Sequence, residues 1–431
     1  MKILWLSVNS GLYNSKSTGY NGGGWVASLQ ELVQKLPGVE LSLAFITSNP
    51  DDKEMKVGGT HYYPIYSKSP SVLVKLRHYY GGYKSVDETA YVDDVQRIIA
   101  DSCPDIIQLF GLECPLATIL GKTDVPIVVH LQGLLSPVDN AFFPIGLNKC
   151  NFVWPFTLSE WIMRNGYIYA KNSMHVRGVR ERELFKNVRY AMGRTEWDYE
   201  VSQLLSPRSE YFHVDEVMRT CFYKHAGEHV PMLRERMIIT STISQTIYKG
   251  LDLVLKAASL LEQETDIDFE WRVVGIDAHS DYVRFFERAV DIKTSKVHYL
   301  GVLDAESLCR NLLDSDVYVH PSYIDNSPNS VCEAQLLGLP VIATNVGGVS
   351  SLVEHGVSGY LVPANAPYEL AYRLKYINEH PEDAKDVAHN ASHIAQKRHN
   401  RNAIQHQLTD VYKSVLRKNV NTDIYEIQVE S

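Results

Sequence analysis

The sequence lacks the marks of a metal protein, a secreted disulfide scaffold, a membrane span and a nucleic-acid binder. Its six cysteines (Cys103, Cys114, Cys150, Cys221, Cys309, Cys332) are scattered without a CxxC pair. They read as reduced, mostly buried thiols of a cytoplasmic protein. The 16 histidines form no HxxxH or similar pattern, so no structural metal is expected. No apolar run approaches the length of a membrane span. The opening MKILWLSV is too short for a signal-peptide core and reads as a strand. Excess positive charge is also missing: 42 Lys and Arg stand against 51 Asp and Glu, a formal net charge of −9. That argues against nucleic acid, which demands a basic surface. Neither a GxGxxG fingerprint nor a P-loop occurs, so dinucleotide and ATP binding find no support. The expectation is a soluble protein, with contact to a membrane surface left open.

What is present is an alternation of strands and helices in two stretches. At 431 residues the chain exceeds what one core usually supports, so two domains are expected. The first stretch runs through KILWLSV, a helix from Trp25 to about Leu36, LSLAFITS, a helix near Asp87–Ser102, IIQLF and PIVVHL. The middle, about Leu134 to His225, is harder to read, with strands at VRYAMG and EYFHV. HAGEHVPMLRER, residues 225–236, looks like a linker. Alternation restarts with MIITSTI, FEWRVVG, VHYLG, VYVHPS, PVIATN and GYLVP, separated by helical patterns that include VSSLVEHG. The fold class is therefore α/β, with two Rossmann-like doubly wound domains. The boundaries expected are 1–225, 226–418 and a polar, frayed tail at 419–431. Such sheets bind ligands at the C-terminal strand ends, so the useful motifs should follow strands.

The strongest local signal is PSYIDNSPNSVCEAQLLGLPVIATNVGG, residues 321–348. Asp325 follows a strand, and Glu333 lies eight residues later in the first turn of the next helix. Gly338 and Pro340 close that helix. Backbone N–H groups around Asn329 and Ser330 would point out of the helix end toward a phosphate or sugar oxygen. A carboxylate binds a vicinal diol with two hydrogen bonds. Ser330-x-x-Glu333 also fits a capping box, so Glu333 has a structural reading beside the functional one. Tyr248-Lys249-Gly250 opens a later helix, where a cation is electrostatically disfavoured unless an anion joins it. The alternative is a solvated surface Lys.

These motifs resemble family 4 of the retaining glycosyltransferases, of GT-B architecture, in which two acids eight residues apart bind the donor. The resemblance extends through Gly338-Leu339-Pro340 and Gly347-Gly348, and Asp325 stands where the family usually has Glu. It implies that Glu333 holds the nucleotide ribose and Asp325 the transferred sugar. Asn326, Ser327, Asn329 and Ser330 would line the pocket for sugar and diphosphate, and Lys249 would bind the diphosphate. Gly22, Gly23 and Gly24, otherwise a flexible turn, would approach the donor phosphate from the first domain. The implied substrates are a UDP- or GDP-sugar and a glycan or lipid-linked acceptor. The implied reaction retains configuration and needs no metal or other cofactor, in polysaccharide biosynthesis in the cytoplasm, with a place at the inner membrane surface left open.

Two departures stand out. The family's Gly-Arg pair is replaced by Ile243 and Ser244, so one cation on the leaving group must come from elsewhere; Arg194 is a candidate. In PIVVHLQG the family's His position falls on Gln132, with His130 two residues earlier and on the same face by alternation. Gln132, His130 and Arg194 are the acceptor-side candidates, although His130 reads better as a buried core residue. The segments 193–198 and 211–219 are dense in polar groups and resemble a surface-polysaccharide branch of the family. The basic stretch Arg177–Arg189 suits acidic lipid heads or, given Glu181 and Glu183, an ordinary solvated helix. A nucleotide-sugar epimerase and a non-catalytic nucleotide-sugar-binding protein are the alternatives.

Overall fold

The computed structural model describes residues 1–13, 24–67, 91–147, 167–230 and 235–429. They form two compact units, one of Met1–Ser136, Asn172–Val217 and Asn400–Ser431, the other of Pro137–Lys171 and Met218–His399.

The first unit is built on eight strands: β1 (Lys2–Ser7), β2 (Glu40–Thr47), β3 (Met55–Val57), β4 (Thr60–Tyr66), β5 (Ile106–Phe110), β6 (Ile127–His130), β7 (Tyr190–Gly193) and β8 (Glu210–His213). Their order is β3-β4-β2-β1-β5-β6-β7-β8; every pairing is parallel except the β3–β4 hairpin. The central strands are buried along their whole length, as helix-covered parallel strands must be, and so read as unbroken apolar runs. Two helices, α1 (Gly24–Val33) and α2 (Val92–Ser102), were legible from their apolar spacing. In α2 the buried Val92, Val95 and Ile98 recur every third residue, and the helix stops at Cys103 in the left-handed conformation. It begins five residues after the expected Asp87, which lies outside the described residues.

Three differences from the sequence reading have their causes in tertiary contacts. The helix Arg401–Val429 continues through the supposed frayed tail, and it belongs to the first unit rather than to the second. Its Tyr412 is fully buried, where it accepts from Trp5 Nε1 at 3.3 Å and donates to Gln108 Oε1. The boundary expected at 225/226 falls at 217/218, because 225–230 packs onto the second unit: the N–H groups of Gly227 and His229 donate to Leu336 and Leu337 carbonyls at 2.9 and 3.0 Å. Third, the helix Tyr167–Phe185 is more than a solvated basic surface. Glu181 is buried and accepts from the N–H groups of Leu135 and Ser136 at 2.7 and 2.8 Å.

The second unit has six strands, β9 (Met237–Thr242), β10 (Phe269–Val274), β11 (Val297–Gly301), β12 (Val317–His320), β13 (Val341–Thr344) and β14 (Tyr360–Val362). They pair in parallel in the order β11-β10-β9-β12-β13-β14. That is the doubly wound order, with its switch point between β9 and β12. Its helices include α3 (Thr220–Lys224), α4 (Leu251–Glu264), α5 (Asp281–Val290), α6 (Ala305–Leu313) and α7 (Asn329–Leu337). Capping explains where several begin: Ser280 accepts from Val283 N–H, and Asp304 from Ser307 N–H. The core gathers Tyr318, Val331, Leu336, Leu337, Val341 and Val349. The expected helix VSSLVEHG is only a 3-10 turn, Val349–Ser351. The chain then folds back through Gly356, held by Glu354 N–H to Ser358 Oγ at 3.0 Å.

Candidate functional site

The switch point of the second unit brings together the loops after β9 and β12. Lys249 ends a 3-10 turn after β9, and Asp325 lies five residues after β12. Lys249 Nζ donates to Asp325 Oδ2 at 2.6 Å, and His320 Nε2 lies 3.2 Å from the same oxygen. Burial alone would raise the Asp325 carboxyl; Lys249 and His320 outweigh it and hold the group well below the usual carboxylate range. Asp325 is thus ionised, next to a cation on one side and a buried imidazole on the other.

Two glycines make this approach possible. Gly250 has φ 80°, and a Cβ on it would lie 2.0 Å from the Pro321 carbonyl oxygen. Gly347 has φ 52°, and a Cβ on it would lie 2.0 Å from the Asp325 carbonyl oxygen. Only a residue without a side chain lets these loops touch. Backbone bonds fasten them: Tyr323 N–H to Tyr248 O at 2.8 Å, and Gly348 N–H to Asp325 O at 3.0 Å.

Helix α7 starts at Asn329 with Pro328 as its N-cap and no side-chain cap. Glu333 is therefore the fifth helical residue, past the first turn, and the capping-box reading is withdrawn. Its carboxylate is buried and held by Arg219, whose Nε and Nη2 donate to Oε1 and Oε2 at 2.7 Å each. Ahead of the helix, Asn326 and Ser327 are buried, and Asn326 N–H donates to Asp325 Oδ1 at 3.1 Å. Asn329 and Ser330 occupy the first turn, half-buried, with their N–H groups at the open end. Gly338 closes the helix in the left-handed conformation, as expected.

In the first unit, Gly24 opens α1, while Gly22 and Gly23 lie outside the described residues. His130 is buried, as its core reading held: its Nδ1 sits 3.1 Å from Gln108 Nε2, and its ring packs edge-on against Trp25. Burial, then the charge of Arg194, push it down to about 3, so it is a neutral packing residue. Strand β6 stops at His130, so alternation does not carry over to Gln132. That side chain is half-buried and donates to the His130 carbonyl at 3.3 Å. Arg194 is 8% exposed, which matters because its guanidinium is paired with buried Glu216 at 3.1 Å and lies over the Trp25 ring at 5.8 Å. It is not a spare cation. The polar run at 193–198 proves to be a capping box, with Thr195 Oγ1 accepting from Asp198 N–H at 3.1 Å and Asp198 accepting in return.

Several groups escaped the sequence reading. His320 carried one signal, its place at a strand end directly before Pro321. Arg219 stood in the polar run 211–219, but nothing there signalled its pairing with Glu333, 114 residues away. Glu113 follows β5 through Gly111, whose φ is 77°. Burial, against its own backbone N–H, and then the charge of Glu181 push this carboxyl up to about 7. No metal pattern was expected, yet Glu54, His61 and Asp101 place ligand atoms within 4.8 Å of one another. Tyr63 links them, its hydroxyl 2.5 Å from Asp101 Oδ2 and 2.9 Å from His61 Nδ1. No helix among the described residues is long and apolar enough to cross a membrane.

Known proteins similar to this chain include glycosyltransferases. Residues 234–394 match the family described as glycosyl transferases group 1. The D-rhamnosyltransferase WbpZ of Pseudomonas aeruginosa is 23% identical over 358 residues, covering 74% of this chain and 90% of the relative. A sucrose-phosphate synthase from Thermosynechococcus elongatus superposes with a TM-score of 0.71 at 15% identity, over 97% of this chain and 100% of that one. Anabaena HepE, solved in complex with UDP, does so with a TM-score of 0.62 at 19% identity, over 96% and 100%. The matched family and WbpZ carry transferase names and the Thermosynechococcus protein a synthase name, and the epimerase alternative gains no support. By fold the chain is a GT-B protein with two Rossmann-like units, and its second unit carries the region that matches the group 1 glycosyl transferases.

Proposed function

We propose that the protein is a retaining, metal-independent glycosyltransferase that moves a sugar from a UDP- or GDP-sugar to a hydroxyl of a glycan or lipid-linked glycan. The observation that carries this reading is the Lys249–Asp325 pair at the switch point of the second unit, inside the matched region. A cation, an ionised carboxylate and an open helix end at one sheet edge suit a ligand with a diphosphate and several hydroxyls. In this reading Asp325 holds sugar hydroxyls, Glu333 the ribose diol, and Lys249 the diphosphate. Asn326, Ser327, Asn329 and Ser330 line the donor. Acceptor recognition is assigned to the strand ends of the first unit near Gln132. His130 and Arg194 support that edge from within.

The bond from the anomeric carbon to the phosphate oxygen breaks as a bond to the acceptor oxygen forms on the same face. The acceptor proton passes to the departing diphosphate. The protein mainly stabilises developing negative charge and orients the hydroxyl. The UDP bound to HepE supports a uridine nucleotide, and the rhamnosyl transfer of WbpZ supports a hexose-type sugar. Polysaccharide biosynthesis in the cytoplasm, with contact at the inner membrane surface, is the setting this implies.

The test is nucleotide release from UDP-, GDP- and ADP-sugars, with thermal stabilisation by each donor, in wild type, Lys249→Ala and Asp325→Ala. One donor should stabilise the wild type and release nucleotide slowly, and both variants should lose this. Full transfer by Asp325→Ala would refute the site.

A further inference from the structure

We infer that Arg219 is a positioning residue for the donor's ribose, acting through Glu333; this rests on the donor reading above. The two are far apart in sequence, yet the fold places Arg219 at the N-cap of α3 and Glu333 within α7 of the same unit. The fork is complete: Nε to Oε1 and Nη2 to Oε2, both 2.7 Å, with the Glu333 side chain 4% exposed. Among the described residues no other side chain hydrogen-bonds this carboxylate. The guanidinium is fixed in turn. It lies 4.9 Å over the Phe222 ring, and the Arg219 carbonyl accepts from Phe222 N–H at 3.1 Å.

A carboxylate offers about four lone-pair sites. The fork uses one on each oxygen and fixes the plane of the group, which leaves one site per oxygen in a set orientation. The two remaining sites point to opposite edges of the carboxylate, so one of them, in a fixed direction, accepts from one ribose hydroxyl, and the deoxy nucleotide that lacks this hydroxyl loses the bond. A lysine would supply the charge but not the plane, because an ammonium is a point donor. A purely structural pair would pin α3 to α7 and have no effect on how a ribose is told from a deoxyribose.

That difference is the test. Calorimetric titration of the full chain with UDP, GDP and their 2′-deoxy and 3′-deoxy forms gives the preference for the intact diol. A hydrogen bond to a charged group predicts roughly tenfold or more in the wild type. Arg219→Met should reduce that preference to about twofold or less while leaving affinity for the deoxy nucleotide nearly unchanged, as should Glu333→Gln. Arg219→Lys should fall between, and it reads the same ratio if the Met variant does not fold. Equal weakening of intact and deoxy nucleotides in the Arg219 variants, with the preference kept, overturns the inference and leaves the donor reading standing. A wild type that binds nucleotide without any preference, unaffected by Glu333→Gln, removes the ribose role of Glu333 and this inference together.

Discussion

Replacing Gly250 by Ala tests the claim that contact between two loops builds the donor site. At φ 80° an alanine pays the left-handed penalty, about 1–2 kcal/mol. Its Cβ would stand 2.0 Å from the Pro321 carbonyl oxygen, so one loop must move by more than an ångström. That movement breaks the 2.8 Å bond from Tyr323 N–H to Tyr248 O, worth about 1 kcal/mol. The sum is about 2–3 kcal/mol, or roughly 4–12 °C in the melting of a unit this size. Lys249, the preceding residue, moves with the loop, and an ångström of misplacement costs on the order of 100-fold in rate. Gly356→Ala is the control: φ is 77°, but nothing lies within 4 Å of its Cβ, so only the same strain of about 1–2 kcal/mol applies. Calorimetric melting and nucleotide release would be measured for both. Equal losses in the two variants, or full activity in Gly250→Ala, would refute the reasoning.

Lys249→Ala should lower kcat/KM by roughly 100- to 1,000-fold, as loss of a charge-stabilising donor does; a change under threefold in initial rates would rule out its diphosphate role. The Asp325 carboxyl is depressed in the folded state, so its contribution to stability is present above about pH 4 and fades as pH falls further. Denaturation below pH 4 should accordingly be shallower in Asp325→Asn. Glu113 is shifted the other way, to about 7. Its contribution is full below about pH 4.3 and lost as pH rises through 7, so Glu113→Gln should gain on the wild type at pH 8 and not at pH 4, read by urea midpoints. Thr195→Ala removes a capping box and should cost about 1–2 kcal/mol in the same measurement; no loss would mean that Asp198 alone holds the turn.

Much of the fold was legible because strand and helix periodicities are local. IIQLF, for example, matched β5 residue for residue. The places of Asp325, Lys249 and Gly347 after strands were also legible, since the spacing along one loop and helix is short-range. What was missed were pairings between residues remote in sequence. Arg219 meets Glu333 across 114 residues, and Tyr412 meets Trp5 across 407, and no periodicity records either meeting. The same limit put the last helix with the second sheet, although its Tyr412 is buried against Trp5 and Gln108 of the first unit. Sequence determined which elements form and which loops carry charge, through backbone propensity and apolar spacing. Tertiary structure alone decided which charges are paired, which are buried and therefore shifted, and which remain for a ligand, because burial and pairing arise only when distant segments share a core.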